Sequence, residues 1–343
     1  MASVHVYKLH TLTGHRDCVY TLVPSEDNAV FFSGAGDGMA VMWNLNDPET
    51  GSVIAKLPNS IYAMHLHPST NTLVVGHNYD GIHILDWQNK TEVGSLQLTK
   101  AAIFDLASYG EDILVATGEG DLMKVNSKLL NVTHRVQGST KSARAIAVNE
   151  KLGEVAVAYS DNFIRVFDLD TLQLKNAWSA HDKSVFTIRY TPDKNFLLSG
   201  SRDARLRMWD ACNNYQQTAE VVAHMYAINH LAFSPDSKHF VTCSMDKSIK
   251  VWDAGALKLL KVIDRSRHAG HGTSVNKVLW TSYHNQLLSA SDDRTISVWN
   301  INFEYDTGVI DVFMNAIRKK LNLKIEEDYI KTIRGIGYIA NDL

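Results

Sequence analysis

Cysteine is scarce in this sequence and neither sign of charge is in large excess, and each shortage excludes a class of protein. The 343 residues include three cysteines, Cys18, Cys212 and Cys243, which lie far apart and have no CxxC spacing. They form neither a disulfide framework nor a zinc knuckle, and they indicate a reducing, cytoplasmic compartment. The formal net charge of −3 gives no overall field that would attract the chain to nucleic acid or to an anionic membrane.

Long apolar runs are absent as well. The N-terminal segment MASVHVYKLH has no apolar core like that of a signal peptide. No stretch approaches the roughly 18 consecutive apolar residues that a membrane span needs. We therefore expect neither a signal peptide nor a membrane partner.

The sequence does contain a repeat. Short β-prone runs separated by Gly, Asp, Asn and Pro fill residues 3–302 with a period of about 42 residues. Four segments align without gaps: SGAGDGMAVMWN, SGSRDARLRMWD, TCSMDKSIKVWD and SASDDRTISVWN. In each repeat a Ser or Thr lies ten residues before a Trp, an Asp lies six before it, and a His lies 22 before that Asp. The four sets are His15, Ser33, Asp37 and Trp43; His181, Ser199, Asp203 and Trp209; His224, Thr242, Asp246 and Trp252; and His271, Ser289, Asp293 and Trp299.

These repeats resemble the WD40 family, whose fold is a β-propeller of four-stranded antiparallel blades. Repeats end near Trp43, Asp86–Trp87, Asn126, Phe167–Asp168, Trp209, Trp252 and Trp299, which predicts seven blades, with repeats two to four degenerate. Residues 3–9 follow no Trp-ending strand, so we predict that they form the outer strand of the last blade and close the ring. The prediction is therefore an all-β propeller domain over residues 1–302.

The repeated Ser, His and Asp could also be hydrolase machinery. However, the serines and the threonine fall inside apolar strands, where a nucleophile would lack an exposed oxygen and an oxyanion hole. In the family that the repeats resemble, Trp donates to Ser or Thr, which bonds His, which bonds Asp. We therefore interpret the four sets as structural tetrads, and we predict no catalytic residue, no enzymatic activity and no cofactor.

Two histidine pairs raise the question of a metal site. His65 and His67 alternate on a predicted strand, and His268 lies three residues before His271. Two ligands alone rarely hold a metal ion, and His271 already belongs to a tetrad. No metal site is predicted.

One residue in the first strand of each repeat is predicted to face the mouth of the central channel. The aligned segments are CVYTL, SIYAM, AIFDL, SARAI, SVFTI, AINHL and SVNKV. Their third residues are Tyr20, Tyr62, Phe104, Arg144, Phe186, Asn229 and Asn276. Residues just before the turn aspartates are predicted to join them: Tyr79, Arg202, Met245 and Asp292. Aromatic and arginine side chains are typical of binding hot spots, so these residues predict a site for a protein or peptide partner, and no small-molecule substrate is inferred. The alternative is that they fill the channel mouth as ordinary packing.

After Asn302 the apolar period becomes helical. Apolar residues at helical spacing predict a helix over about 309–321. They are Ile310, Phe313, Met314, Ile317 and Leu321. The segment DYIKTIRGIGYIA predicts a hairpin over about 329–339, in which Tyr329–Ile333 pairs with Gly337–Ile339. The predicted architecture is thus a propeller followed by a short helix and hairpin tail over 303–343.

The stretches VIDVFMNAIRKKL and YIKTIRGIGYI resemble the C-terminal part of the winged-helix DNA-binding domain of OmpR/PhoB-type response regulators. The resemblance implies that Asn315, Arg318 and Lys319 face a DNA groove and that Lys331, Thr332 and Arg334 lie on the wing. The leading sheet, the first two helices and the receiver domain of that family are missing. Residues 303–343 carry six basic and seven acidic side chains, a poor balance for phosphate contact.

Two functions follow from these features. The first is a non-catalytic interaction scaffold that binds a protein or peptide on the propeller face. The alternative is a DNA-binding transcriptional regulator that acts through the tail, which could instead pack on the propeller or serve as a dimerisation helix.

Overall fold

The computed structural model describes residues 3–304, together with 317, 320, 330–333 and 337–340. Seven four-stranded antiparallel sheets follow one another along the chain as the blades of a β-propeller. The first strand is β1 (Ser3–Leu12), which belongs to the last blade. This confirms the predicted all-β fold with seven blades.

Blades 1 to 4 are each built from four consecutive strands. Blade 1 contains β2 (Val19–Pro24), β3 (Val30–Ala35), β4 (Met39–Asn44) and β5 (Asp47–Lys56). Blade 2 contains β6 (Met64–His67), β7 (Thr72–His77), β8 (Gly81–Asp86) and β9 (Thr91–Gln97). Blade 3 contains β10 (Ile103–Tyr109), β11 (Asp112–Thr117), β12 (Asp121–Asn126) and β13 (Asn131–Gln137). Blade 4 contains β14 (Ala143–Asn149), β15 (Glu154–Tyr159), β16 (Phe163–Asp168) and β17 (Leu174–Ser179).

The remaining blades carry the more regular repeats. Blade 5 contains β18 (Val185–Tyr190), β19 (Phe196–Ser201), β20 (Arg205–Asp210) and β21 (Gln216–Val222). Blade 6 contains β22 (Ile228–Phe233), β23 (His239–Ser244), β24 (Ile249–Asp253) and β25 (Lys258–Ile263), and the one-turn helix α1 (Arg265–His268) follows it. Blade 7 contains β26 (Val275–Trp280), a 3-10 turn (Tyr283–Asn285), β27 (Gln286–Ser291) and β28 (Ile296–Glu304).

The core lies between neighbouring blades. The second strand of each blade is covered on both faces by neighbouring sheets. For this reason β3, β11 and β19 are almost continuously buried, and their sequences are mostly apolar. Between blades 1 and 7, for example, Phe31 and Trp43 pack with Leu288 and Val298. Each blade therefore contributes side chains to two interfaces, and burial of this apolar surface is the main stabilising term.

The N-terminal strand closes the ring. The order of the last sheet is β1-β28-β27-β26, so β1 is its outer strand, as predicted. It extends to Leu12, three residues beyond the predicted segment, and the side chain of Leu12 is buried against blade 1. Closure in this way satisfies the edge of β28 that would otherwise be open to pairing with another chain.

A compact unit comprises Val6–Ile301, and a second unit comprises Met1–His5 together with Asn302–Leu343. In that second unit, β29 (Ile330–Ile333) pairs antiparallel with β30 (Gly337–Ala340), with Ile333 opposite Gly337. This confirms the predicted hairpin. Of the predicted helix over 309–321, the described residues are 317 and 320, and both are helical. No helix within the described part of the chain is long and apolar enough to cross a membrane.

Candidate functional site

The tetrads form continuous hydrogen-bond chains through four blades. In blade 5, Trp209 Nε1 donates to Ser199 Oγ over 2.9 Å, and Ser199 Oγ lies 2.7 Å from His181 Nε2. The carboxylate of Asp203 accepts from His181 Nδ1–H over 3.0 Å, so Nε2 of the neutral ring is the acceptor for the Ser199 hydroxyl. The other three blades repeat these contacts in the sets His15, Ser33, Asp37 and Trp43; His224, Thr242, Asp246 and Trp252; and His271, Ser289, Asp293 and Trp299.

Each tetrad carboxylate stays ionised well below neutral pH. Burial acts to raise the pKa of Asp203, but the hydrogen bond from His181 and those from backbone N–H groups outweigh it and lower this pKa to about 2. The same opposition lowers the pKa of Asp37, Asp246 and Asp293. The hydroxyl-bearing side chains of Ser33, Ser199, Thr242 and Ser289 are fully buried. No substrate can reach them, so the tetrads join strands and turns rather than perform nucleophilic chemistry.

The degenerate blades use other polar contacts. Val75 and Val115 stand where blades 2 and 3 would carry the tetrad hydroxyl, and both are fully buried. In blade 4, Asp161 accepts from Ser139 Oγ over 2.6 Å and pairs with Arg165 over 2.8 Å. Blade 3 has an Arg135–Asp121 pair at 2.6 Å instead. These contacts join the turn to a neighbouring strand or loop in blades 3 and 4, which lack the Trp–Ser–His–Asp chain.

The seven residues predicted to face the channel mouth do come together there. A cavity of about 370 Å³ is lined by Tyr20, Tyr62, Phe104, Arg144, Phe186, Asn229 and Asn276, which we call the mouth ring. In six of the seven inner strands the pairing register shifts at this residue, as between Val19 and Thr21 or between Val275 and Lys277. A β-bulge re-aims the side chain at which it occurs. The bulges therefore turn one side chain per blade toward the channel.

Aromatic and cationic contacts run around half of the mouth ring. Tyr20 and Tyr62 meet edge to face with centroids 4.7 Å apart, and Tyr62 stacks on Phe104 at 5.8 Å. The guanidinium of Arg144 lies 3.9 Å from the ring centroid of Phe104 and 4.8 Å from that of Phe186. Cation–π contacts of this kind stabilise the arginine and keep its plane between two aromatic faces.

The other half of the mouth ring is held by amides. Asn229 Nδ2 donates to the carbonyl oxygen of Val275 over 2.8 Å, which joins blade 6 to blade 7. Asn276 Nδ2 donates to the carbonyl oxygen of Val19 over 3.0 Å and to Asp292 over 2.8 Å, which joins blade 7 to blade 1. The mouth ring is thus preorganised rather than loosely packed.

A charged layer, which the sequence analysis missed, lies beside the mouth ring. Asp105, His230 and Lys277 also line the cavity, and Arg189 Nη2 donates to His230 Nε2 over 3.4 Å. Burial lowers the pKa of His230 well below its usual value, with the charges of Lys277 and Arg189 adding to the effect, so His230 is neutral and able to accept. The sequence does contain a signal for this layer: Asp105, His230 and Lys277 each directly follow a mouth-ring residue, in strands that are otherwise mostly apolar.

Within residues 3–304, the mouth arginine has no ion pair with an acidic side chain. Burial lowers the pKa of Arg144 to about 10, so the guanidinium stays charged at neutral pH. Among the described residues, no carboxylate lies within 4 Å of it or of the Lys277 ammonium, although Asp105 is near enough to raise the pKa of Lys277 against the effect of burial. Desolvated cations without carboxylates are costly, and a ligand with hydrogen-bond acceptors would relieve that cost.

The four flanking residues lie on the rim rather than in the cavity. Backbone N–H groups of Arg202, Met245 and Asp292 donate to carbonyl oxygens just before the mouth residue of their own blades. Tyr79 and Met245 are 61% and 51% exposed, and Arg202 is exposed as well, whereas Asp292 contacts Asn276. The loop before β22 adds two exposed apolar side chains that the sequence analysis missed: Met225 and Tyr226.

The structure describes only some of the remaining predicted residues. Asn315, Arg318, Lys319 and Arg334 fall outside the described residues, while Lys331 and Thr332 lie on β29. His65 Nε2 bonds Ser108 Oγ at 2.9 Å, and His271 belongs to its tetrad. In the described part of the chain, a different set meets the geometric requirement for a metal site: His77, Asp80 and His83. The sequence analysis did not single out this set.

Comparison with known families gives two matches. The model described as WD domain, G-beta repeat matches residues 7–44, 172–210, 215–253 and 263–300, which are the repeats with complete tetrads. The model described as Transcriptional regulatory protein, C terminal matches residues 292–340. The two matches overlap in the last blade, so the second similarity begins before the propeller ends.

Individual proteins agree with these matches. The chain is 26% identical over 302 residues to the 66 kDa stress protein of Physarum polycephalum, covering 85% of this chain and 47% of that protein. It is 24% identical to human striatin over 61% of this chain and 30% of striatin. The chain thus spans about half or less of the length of these relatives. The WD40 propeller domain of Doa1 superposes with a TM-score of 0.76 at 16% identity, covering 89% of this chain and 98% of that domain.

The tail has its own relative. Over 55 residues the chain is 42% identical to the transcriptional regulatory protein YkoG of Bacillus subtilis, covering 16% of this chain and 24% of that protein. The similarity is therefore restricted to a fragment of a regulator's effector domain.

Proposed function

Because this chain is a WD40-repeat β-propeller that continues into a segment similar to response-regulator effector domains, we propose that it is a non-catalytic platform whose mouth ring binds a segment of a partner protein. The continuous ring of seven side chains around one cavity carries this proposal. Large aromatic groups and an arginine at the centre of a concave surface are what protein interfaces use as anchors. A location in the cytoplasm is part of the proposal, supported by three free thiols.

The charges favour a partner segment that carries an acidic side chain. The central carbon of the Arg144 guanidinium lies 3.9 and 4.8 Å from the ring centroids of Phe104 and Phe186, and Arg144 lines the cavity with them. A carboxylate is the acceptor that matches a guanidinium with two parallel hydrogen bonds. Lys277, which also lines the cavity, adds a second basic side chain whose amino group can donate hydrogen bonds to an acidic group. The exposed apolar side chains of Tyr79, Met225 and Tyr226 provide a rim on which the rest of an extended segment could pack.

Peptide selection tests this function. A random-peptide library is selected on the full chain, and the affinity of the selected peptides is measured by isothermal titration calorimetry. Truncation of a central anchor costs about 2 kcal/mol or more, so we expect Tyr62→Ala to weaken binding by about 30-fold. Arg144→Met keeps an unbranched apolar side chain but removes the guanidinium charge and its N–H donors, so it should weaken acidic peptides selectively. Leu129→Ala, which removes an exposed side chain of a β12–β13 turn, is the matched control. Selected peptides that bind all four proteins equally would place the binding site elsewhere.

The DNA-binding alternative is not favoured. The regulator match spans residues 292–340 and lacks the rest of a winged-helix domain, and the acidic side chains of 303–343 outnumber the basic ones. Since each phosphate contact contributes to the salt dependence, we expect no salt-sensitive binding when duplex DNA is titrated into the full chain at low and moderate salt. Salt-sensitive binding that an Arg318→Ala, Lys319→Ala and Arg334→Ala variant loses would restore this alternative.

A further inference from the structure

Three potential metal ligands meet at one turn of blade 2. His77 ends β7, Asp80 lies in the turn, and His83 is on β8. His77 Nδ1 is 3.1 Å from His83 Nε2 and 3.4 Å from an Asp80 carboxylate oxygen. One ligand atom from each residue lies within 4.8 Å of the other two. Two imidazole nitrogens and a carboxylate oxygen thus converge on one point.

We propose that His77, Asp80 and His83 bind a zinc ion. Neutral imidazole and carboxylate are ligands that zinc takes in tetrahedral sites, with metal–ligand bonds of about 2.0–2.2 Å. Ligand atoms at those bond lengths and at tetrahedral angles stand about 3.3 Å apart, close to the two distances observed here. Three protein ligands leave the fourth position to water or to a group from a partner.

An outer contact orients the His83 imidazole for this role. His83 Nδ1 lies 3.1 Å from a carboxylate oxygen of Glu92 on β9. Donation from Nδ1–H to that carboxylate leaves the lone pair of Nε2 directed at the cluster, an arrangement that recurs at zinc sites. Asn59 Nδ2 lies 3.4 Å from His77 Nε2 and donates to the carbonyl oxygen of Asn78. His77 Nε2 therefore accepts from this amide, and a zinc ion bound at Nδ1 would displace the proton carried there, since metal binding releases protons from its ligands.

The cluster is partly open to solvent. The side chain of His77 is 9% exposed, that of His83 is 15% exposed and that of Asp80 is 42% exposed, so an ion can enter from the Asp80 side.

The position of the cluster suggests what the ion would do. Blade 2 has no tetrad, because Val75 occupies the place of the hydroxyl and Leu85 that of the Trp. In the tetrad blades a His–Asp hydrogen bond ties the turn between the second and third strands. A zinc ion held by residues of β7, the turn and β8 would tie this turn in blade 2 instead.

Zinc titration of the tag-free full chain tests the proposal. We expect one zinc equivalent in the wild-type protein that His83→Ala lacks, while His134→Ala, which removes an exposed histidine on β13, keeps it. Asp80→Asn, at the most exposed ligand, should weaken zinc at least 10-fold without loss of fold, and Glu92→Gln should weaken it 10- to 100-fold. Cobalt substitution should produce the intense visible bands of a tetrahedral site in the wild type and in His134→Ala, but not in His83→Ala. Equal zinc stoichiometry and affinity in the wild type, His83→Ala and Asp80→Asn would overturn the proposal and leave a plain hydrogen bond between two imidazoles.

Discussion

Replacement of Thr242 by valine is expected to lower the free energy of unfolding by about 2–5 kcal/mol. Valine has the same shape as threonine but lacks the hydroxyl that accepts from Trp252 Nε1 and bonds His224 Nε2, at 2.9 and 2.7 Å. Both partners are buried, so the substitution leaves two polar groups without hydrogen bonds, and each such group costs about 1–3 kcal/mol. Urea-induced unfolding followed by tryptophan fluorescence measures the change.

The matched control is Thr242→Ser. Serine keeps the hydroxyl, as in the tetrads of blades 1, 5 and 7, and removes one methyl group, which costs about 1 kcal/mol. If the valine variant unfolds at the same urea concentration as the serine variant, the hydrogen-bond chain contributes nothing beyond packing. That outcome would contradict our interpretation of all four tetrads.

Acid is expected to destabilise the propeller between about pH 4 and pH 2 through the tetrad carboxylates. The pKa of Asp203 is lowered to about 2 in the folded chain and returns to about 4 on unfolding. Because the folded value is the lower one, the stabilisation is complete above pH 4 and disappears as the pH falls through the folded pKa. After discount for solvent screening, each tetrad should contribute about 1 kcal/mol, or about 3–4 kcal/mol for all four.

The variant Asp203→Asn tests the contribution of one tetrad carboxylate to this acid sensitivity. The amide keeps an oxygen that can accept from His181 but has no charge to lose, so thermal melts at pH 7, 4 and 2 should show a shallower loss of stability than in the wild type. Asp182→Asn serves as the control, because the exposed carboxylate of Asp182 makes no hydrogen bond or ion pair with the described residues. A wild-type pH dependence that survives unchanged in Asp203→Asn would show that the acid sensitivity arises outside the tetrads.

The blade count and the mouth ring could be predicted because both depend on residues at constant offsets within a repeat. Trp43, Trp209, Trp252 and Trp299 mark the same strand in four blades. The number of residues between Trp43 and Trp209, divided by the repeat period, predicts the three degenerate blades. The closing strand was predictable because β1 precedes any repeat. Its extension to Leu12 depends on packing against blade 1, which no local pattern records.

The charged layer and the histidine cluster could not be predicted in the same way. Asp105, His230 and Lys277 lie in three different blades, and only closure of the ring brings them to one cavity. His77 and His83 lie in blade 2, whose repeat has lost the tetrad residues. Their presence therefore indicated only a degenerate repeat and gave no sign of a histidine cluster. In both cases the site depends on which strands lie next to each other, whereas a sequence pattern shows only the spacing of residues along one strand.

The outer position of β1 has a consequence for synthesis on the ribosome. This strand leaves the ribosome before the rest of the propeller, and its partner β28 follows about 290 residues later, which at 5–20 residues per second is a delay of about 15–60 s. Contacts so distant in sequence form slowly, and joining the two ends costs about 5 kcal/mol of chain entropy. Until translation reaches β28, a β-prone strand of ten residues stays without its partner, and a chaperone that shields nascent strands would act on this chain during that interval.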